Sequence, residues 1–171
     1  MLTLDAFALV RDAKLRGLLA YWLDLRRGES LPDYADIDPS HFASLLPFAW
    51  VSEREPDGRF RYHLAGERIN EVYGRSLRGR YLDEIMPADA IAKTHAIYSR
   101  VVGEPAVLHN LGWLYNRLGR TGYGERLALP MRKGPGPARI ILGISHYVLD
   151  DRPGQPRSGL PGAADTFIPV T

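Results

Sequence analysis

The sequence contains no cysteine. Disulfides, thiolate zinc centres and thiol nucleophiles are therefore outside its chemistry. It also lacks any apolar run near the roughly 20 residues that a membrane-spanning helix needs. Asp5, Arg11, Asp12 and Lys14 interrupt the N-terminus too early for a secretory leader, so a cytoplasmic protein is expected. Charge of one sign is scarce too. Lys and Arg number 22 against 20 Asp and Glu, and the resulting +2 gives no general attraction for nucleic acid. A nucleic-acid reading would need Arg117, Arg120, Arg126, Arg132 and Lys133 gathered on one face. Enzymatic signatures are equally sparse. Neither a Gly-x-Ser-x-Gly elbow nor a phosphate-binding Gly-rich loop occurs. Ser145 and His146 are neighbours on a predicted strand and so point to opposite faces. His41, His63, His95, His109 and His146 show no metal-ligand spacing.

What is present is one domain's worth of chain, 171 residues, with clear punctuation. The spacing predicts a helix over 5–27. Leu15, Leu18, Trp22 and Leu25 recur on one stripe that Leu19 widens, and Gly28 stops it. Asp38 is placed to cap a short helix with Pro39 at its first position and Phe42, Leu45 and Leu46 on its buried side. Strands are predicted over 48–53 and 59–64, joined through the turn dipeptide Asp57-Gly58. A short helix ending at Gly74 follows, then an apolar run stopping at Pro87. The next helix carries Ala88, Ile91, His95, Tyr98 and Val102 on one face and ends before Gly103 and Pro105. Three strands complete the ordered part, over 107–116, 123–131 and 139–149. Leu127, Leu129 and Met131 alternate on one face, as do Ile140, Leu142, Ile144 and Val148. Pro130 predicts a bulge or a strand end. From Asp150 the Pro/Gly-rich tail is expected to lack regular structure, although 166–170 can pack back on the body.

Several motifs in fixed order carry a family resemblance. They are Tyr62-His-Leu-Ala-Gly66, Asn70, Gly74-Arg75, Leu77-Arg-Gly-Arg80 and Leu127-Ala-Leu-Pro130. A Trp-bearing helix, Asp36-Ile-Asp-Pro39 and Leu45-Leu-Pro47 precede them. Together they resemble a PAS domain, of a bacterial subgroup that stands alone. The resemblance implies an α+β fold: a five-stranded antiparallel sheet with helices on one face, preceded by the amphipathic N-terminal helix. It divides the chain into an extension over 1–47, a PAS-like domain over 48–150 and a tail over 151–171. The function it implies is sensory and regulatory, by binding a small ligand, a signalling partner protein, or both.

The cavity that such folds leave between helices and sheet would be lined by Tyr73, Tyr81, Ile91, His95, Tyr98, Trp113, Leu127, Leu129, Leu142 and Ile144. Tyr115 and Tyr147 belong to the same aromatic set. Without a thiol, neither a flavin–cysteinyl adduct nor a thioester-linked chromophore is possible. Haem ligated by His95 and a non-covalent flavin stay open. The other reading of His95 is a core histidine bonded to a tyrosine or a backbone carbonyl. An enzyme using the pocket would need a second buried acid or base facing His95. Asn70 reads as a helix-cap residue bonding nearby backbone, and one of Arg75, Arg78 and Arg80 as pinned to Asp83 or Glu84. The stripe Leu15, Leu18, Leu19, Trp22 and Leu25 has two uses: the interface of a homodimer, or a cap on the chain's own sheet.

Overall fold

Asp12 interrupts what the apolar spacing presents as one N-terminal helix. In the computed structural model, which describes residues 2–28, 31–117, 120–150 and 164–170, α1 (Leu2–Leu9) and α2 (Ala13–Leu25) are separate. Asp12 is in extended backbone, and its carboxylate accepts the N–H groups of Lys14 at 2.8 Å and Leu15 at 3.2 Å. That is an N-cap, and a cap begins a helix rather than continuing one. Asp33 and Asp38 repeat the device, accepting from Ala35 and Ser40 at the starts of two 3-10 segments, Tyr34–Asp36 and Pro39–Phe48. Pro47 lies inside the second segment rather than ending it.

The rest of the chain runs β1 (Ala49–Arg54), β2 (Phe60–Ala65), α3 (Glu67–Tyr73), α4 (Leu82–Ile85), α5 (Ala88–Gly103), β3 (Ala106–Arg117), β4 (Arg120–Met131), β5 (Ile140–Asp150) and β6 (Thr166–Pro169). Gly58 turns the β1–β2 hairpin at φ 86° and Gly74 closes α3 at φ 67°, both left-handed conformations that glycine adopts without strain. The sheet is antiparallel throughout, in the order β2-β1-β5-β4-β3-β6. Five strands were expected and six form. Thr166–Pro169 pairs along Ala106–His109 at the open edge of β3. Residues 151–163 of the expected tail and Gly119 of the β3–β4 turn lie outside the described residues. Pro130 makes no bulge; it stays in register opposite Ile141. The β3 ladder stops at Leu108↔Ala128, so Pro130 has no β3 carbonyl to meet.

Helices cover both faces of this sheet: α3 to α5 take the face that the resemblance implied, and the N-terminal helices cap the other, one of the two uses expected for their stripe. On the first face Val51, Leu127, Leu129, Met131, Leu142 and Ile144 pack against α2 and the longer 3-10 segment. Leu15, Leu18, Leu19 and Trp22 are at most 1% exposed in this layer, while Leu25 is half-buried. The stripe is thus covered by the chain's own sheet without a second copy. On the second face α3, α4 and α5 meet Trp50, Phe60, Tyr62, Leu108, Ala128 and Ile141.

The first layer is also fastened at its edge. Glu125, buried on β4, accepts the backbone N–H of Arg11 at 2.8 Å and of Asp12 at 2.7 Å, and meets His109 Nε2 at 2.7 Å. Asp12 in turn pairs with His146 on β5. Burial acts to raise the Asp12 pKa, but the bond from His146 and the N–H groups of Leu15 and Lys14 outweigh it and hold the carboxyl below its ordinary value. Among the described residues no helix is long and apolar enough to cross a membrane.

Candidate functional site

A cavity of about 220 Å³ opens on the second face, between the sheet and helices α3 to α5. Its strand-side walls include alternate positions, Trp50 on β1, Tyr62 on β2, Leu108 and Asn110 on β3 and Arg126 on β4, and the consecutive Leu114, Tyr115 and Asn116 next to a register shift in β3. The helices contribute Ile69 and Tyr73 from α3, and Thr94, Ile97 and Tyr98 from α5, at the three- and four-residue steps of one helix face. Leu77, Met86 and Pro87 close the side between them.

Aromatic packing shapes this cavity. The Trp50 indole stacks on the Tyr98 ring at 5.2 Å between centroids, 9° from parallel. It lies over Gly143, its cross-strand partner on β5, where any Cβ would run into the indole ring. Glycine is therefore what allows a tryptophan to lie flat against the strand there. Tyr98 Oη is 2.8 Å from Tyr62 Oη. Burial pushes the pKa of both phenols up, so both remain protonated at any ordinary pH.

The polar end centres on Ser145 Oγ, which is fully buried. Trp50 Nε1 donates to it from 3.2 Å and Arg126 Nε from 2.9 Å, with Tyr115 Oη 3.0 Å away. The Arg126 guanidinium lies 5.0 Å from the Tyr115 ring centroid, a stacked cation rather than a salt-bridged one. Asn110 donates to Ala164 O at 3.2 Å and Asp165 Oδ1 at 2.8 Å, tying the start of β6 to the cavity wall. An apolar, aromatic chamber with one cation and a few hydroxyls at one end is the chemistry of a small-molecule site.

A family model described as PAS domain matches residues 10–146. The chain belongs to the PAS domain family. No curated protein and no solved structure matches it significantly. PAS domains are in general sensory and interaction modules, and the match takes in α2 and the 3-10 segments but not α1.

Of the residues expected to line the cavity, Tyr73 and Tyr98 do. Leu127, Leu129, Leu142 and Ile144 belong to the opposite face, packed against the α2 layer. Their alternation separates two faces but does not say which one meets the cavity, and the more apolar face took the N-terminal helices. Trp113 is also on that opposite face, edge-on to Tyr123 at 5.3 Å. A register shift between Trp113 and Tyr115 changes the phase of β3, so Tyr115 lines the cavity while Trp113, two residues away, does not. Tyr81 sits at the surface under the Arg59 guanidinium, 3.7 Å from its ring centroid, and donates to Glu55 at 2.8 Å.

His95 and Ile91 fall on the margin of α5 rather than on its cavity face. His95 Nε2 meets the carbonyl of Gly58 at 2.9 Å and Nδ1 lies 3.4 Å from Ser99 Oγ. Neither partner is an acid, and neither nitrogen is offered to the cavity. The residues present therefore do not fit haem ligated by His95. A cavity of about 220 Å³ is also small for haem or flavin, below the roughly 300–1,000 Å³ of usual ligand clefts.

The remaining expectations resolve locally. Asn70 lies inside α3 rather than at its cap, but it bonds backbone as expected, donating to Ala65 O at 3.1 Å and accepting from Leu77 N at 2.9 Å. Asp83 pairs with Arg59 rather than with the following arginines, and Arg75 donates to the Glu84 carbonyl. The cationic set does not gather on one face. Arg120 meets Glu71, Arg132 the Leu31 carbonyl, Lys133 Glu53, and Arg126 is in the cavity. The side chain of Arg117 lies outside the described residues. Sequence reasoning missed Trp50, Tyr62, Asn110 and Arg126. The one signal available was Arg126 itself, a cation directly before the apolar run that starts at Leu127.

Proposed function

We propose that this PAS domain is a cytoplasmic regulatory module in which a small ligand in the α3–α5 cavity alters helix packing and so the surface read by a signalling partner protein. The aromatic cavity carries the reading. Tyr98 on α5 stacks on Trp50 of β1 and meets Tyr62 of β2. A ligand between these rings acts on the helix and two strands at once, which is how local occupancy biases a packed element. The described residues of the lining supply walls, a cation and hydroxyl groups, and the carboxylate among them, Asp165, is already bonded to Asn110, so binding fits them better than turnover.

Mass spectrometry of the protein purified from its native host tests this. Denaturation is expected to release a small organic compound at about one per chain. Thr94→Trp, which fills the cavity from α5, is expected to carry none. Equal recovery of the compound from both proteins, or none from either, refutes the reading.

A further inference from the structure

Donors and acceptors around the cavity do not balance. Ser145 Oγ has three neighbours: Trp50 Nε1 at 3.2 Å, Arg126 Nε at 2.9 Å and Tyr115 Oη at 3.0 Å. A hydroxyl oxygen has two lone pairs, and indole and guanidinium N–H groups can only donate. Tyr115 O–H donates toward the same oxygen, so three donors converge on two lone pairs and one of them is left over. The same count applies to Tyr62 and Tyr98, whose oxygens lie 2.8 Å apart. They hold two protons, and their mutual bond uses one. Arg126 adds its Nη groups, for which the described residues provide no carboxylate partner. Asp165 is the carboxylate of the lining, but it is exposed and already accepts from Asn110 at 2.8 Å.

Against these donors stands an orphaned acceptor, the buried Oδ1 of Asn110, but the charge among them is a half-buried cation. Leaving such a charge without a counter-charge is costly, and a guanidinium fork matches the two oxygens of a carboxylate. The remainder of the chamber is apolar. We propose that the cavity binds a small organic carboxylate, its head on the Arg126 guanidinium and the Tyr115 hydroxyl, its apolar body against Trp50, Leu77 and Ile97. The volume of about 220 Å³ limits that body to a short chain or a single ring. This inference rests on the reading of the cavity as a ligand site and goes further in naming the ligand's chemistry.

The test compares acids with their own amides, which have nearly the same shape but no charge. Acetate, butyrate, benzoate and 3-phenylpropionate, each beside its primary amide, and inorganic phosphate are titrated into the full chain. Backbone amide resonances locate binding and calorimetry measures affinity. At least one acid is expected to shift the resonances of Ser145 and Arg126 and to bind at least about tenfold tighter than its amide, the gain usual for a charge-assisted hydrogen bond. Phosphate, which has no apolar body, is expected to bind at least about tenfold more weakly than that acid. Arg126→Gln should erase the preference for the acid, and Tyr115→Phe should weaken binding of the acid more than binding of its amide. The acid–amide comparison is made on the wild type, so it decides even if Arg126→Gln does not fold. An amide that binds as well as its acid, or phosphate binding as well as the best acid, overturns the carboxylate assignment and leaves the ligand site standing. If no acid and no amide shifts the cavity resonances, the assignment is overturned together with the ligand-site reading.

Discussion

On β4, Leu127, Leu129 and Met131 are wholly buried against the N-terminal layer, while Arg126, one residue along, lines a cavity with four tyrosines and a tryptophan. The two faces of this one sheet are built for different purposes. The N-terminal face is an apolar layer fastened at its rim by carboxylate–imidazole pairs, Glu125 with His109 and Asp12 with His146. The α3–α5 face is aromatic and rich in hydroxyls, with ring packed on ring. A strand serves both because its side chains alternate. Substitutions on the first face should therefore act on stability, and those on the second should act on binding with smaller stability costs.

The strongest test of this contrast is Trp22→Ala. The indole is 0% exposed at the centre of the N-terminal layer, and emptying such a site costs about 3–5 kcal/mol. Urea unfolding should show a loss of that size; a shift under about 1 kcal/mol, with a dimer dissociating into folded monomers, would mean that the stripe serves a second copy instead. Gly143→Ala comes next. Its methyl group meets the Trp50 indole, and overpacking of this kind costs about 1–3 kcal/mol. Because the strain falls on the cavity wall, tryptophan emission should change along with the unfolding midpoint. An unchanged spectrum would break the link between Gly143 and the cavity.

Asp12→Ala removes both a helix cap and the partner of His146, for about 0.5–2 kcal/mol near neutral pH. The loss has a pH signature. The folded Asp12 carboxyl titrates below its ordinary 3.8, so its stabilisation is present in full above that value and is lost as pH falls through the folded pKa. The gap between wild type and Asp12→Ala should narrow on acidification; a gap that widens would contradict the pairing. Tyr62→Phe should have the smallest effect, about 0.5–1.5 kcal/mol, since it removes one hydroxyl from a bonded pair and leaves the ring. Measured beside Trp22→Ala, it sharpens the contrast between the two faces.

Much of the framework was legible before any coordinate. Apolar spacing at steps of three and four, caps at Asp38 and Pro39, and turns at Gly58 and Gly74 are local effects, set by residues within a few positions of each other. So is the alternation of β4 and β5. Asp12 shows the limit of the helical pattern, because its cap breaks a helix whose apolar stripe continues across the break.

The site was less legible. Leu127, Leu129, Leu142 and Ile144 are on the face that the N-terminal layer covers, and alternation is silent about which side that layer takes. Trp113 and Tyr115 are separated by a register shift that depends on how β3 pairs with β4. The meeting of Trp50, Tyr115, Arg126 and Ser145 joins four strands, and β6 closes an edge from more than fifty residues away. By itself the sequence determined which segments become helix or strand and which residues share a side, since these follow from backbone preference and period. The tertiary structure decided which side faces the cavity and which donors lack acceptors, because those depend on contacts between segments that no local pattern encodes.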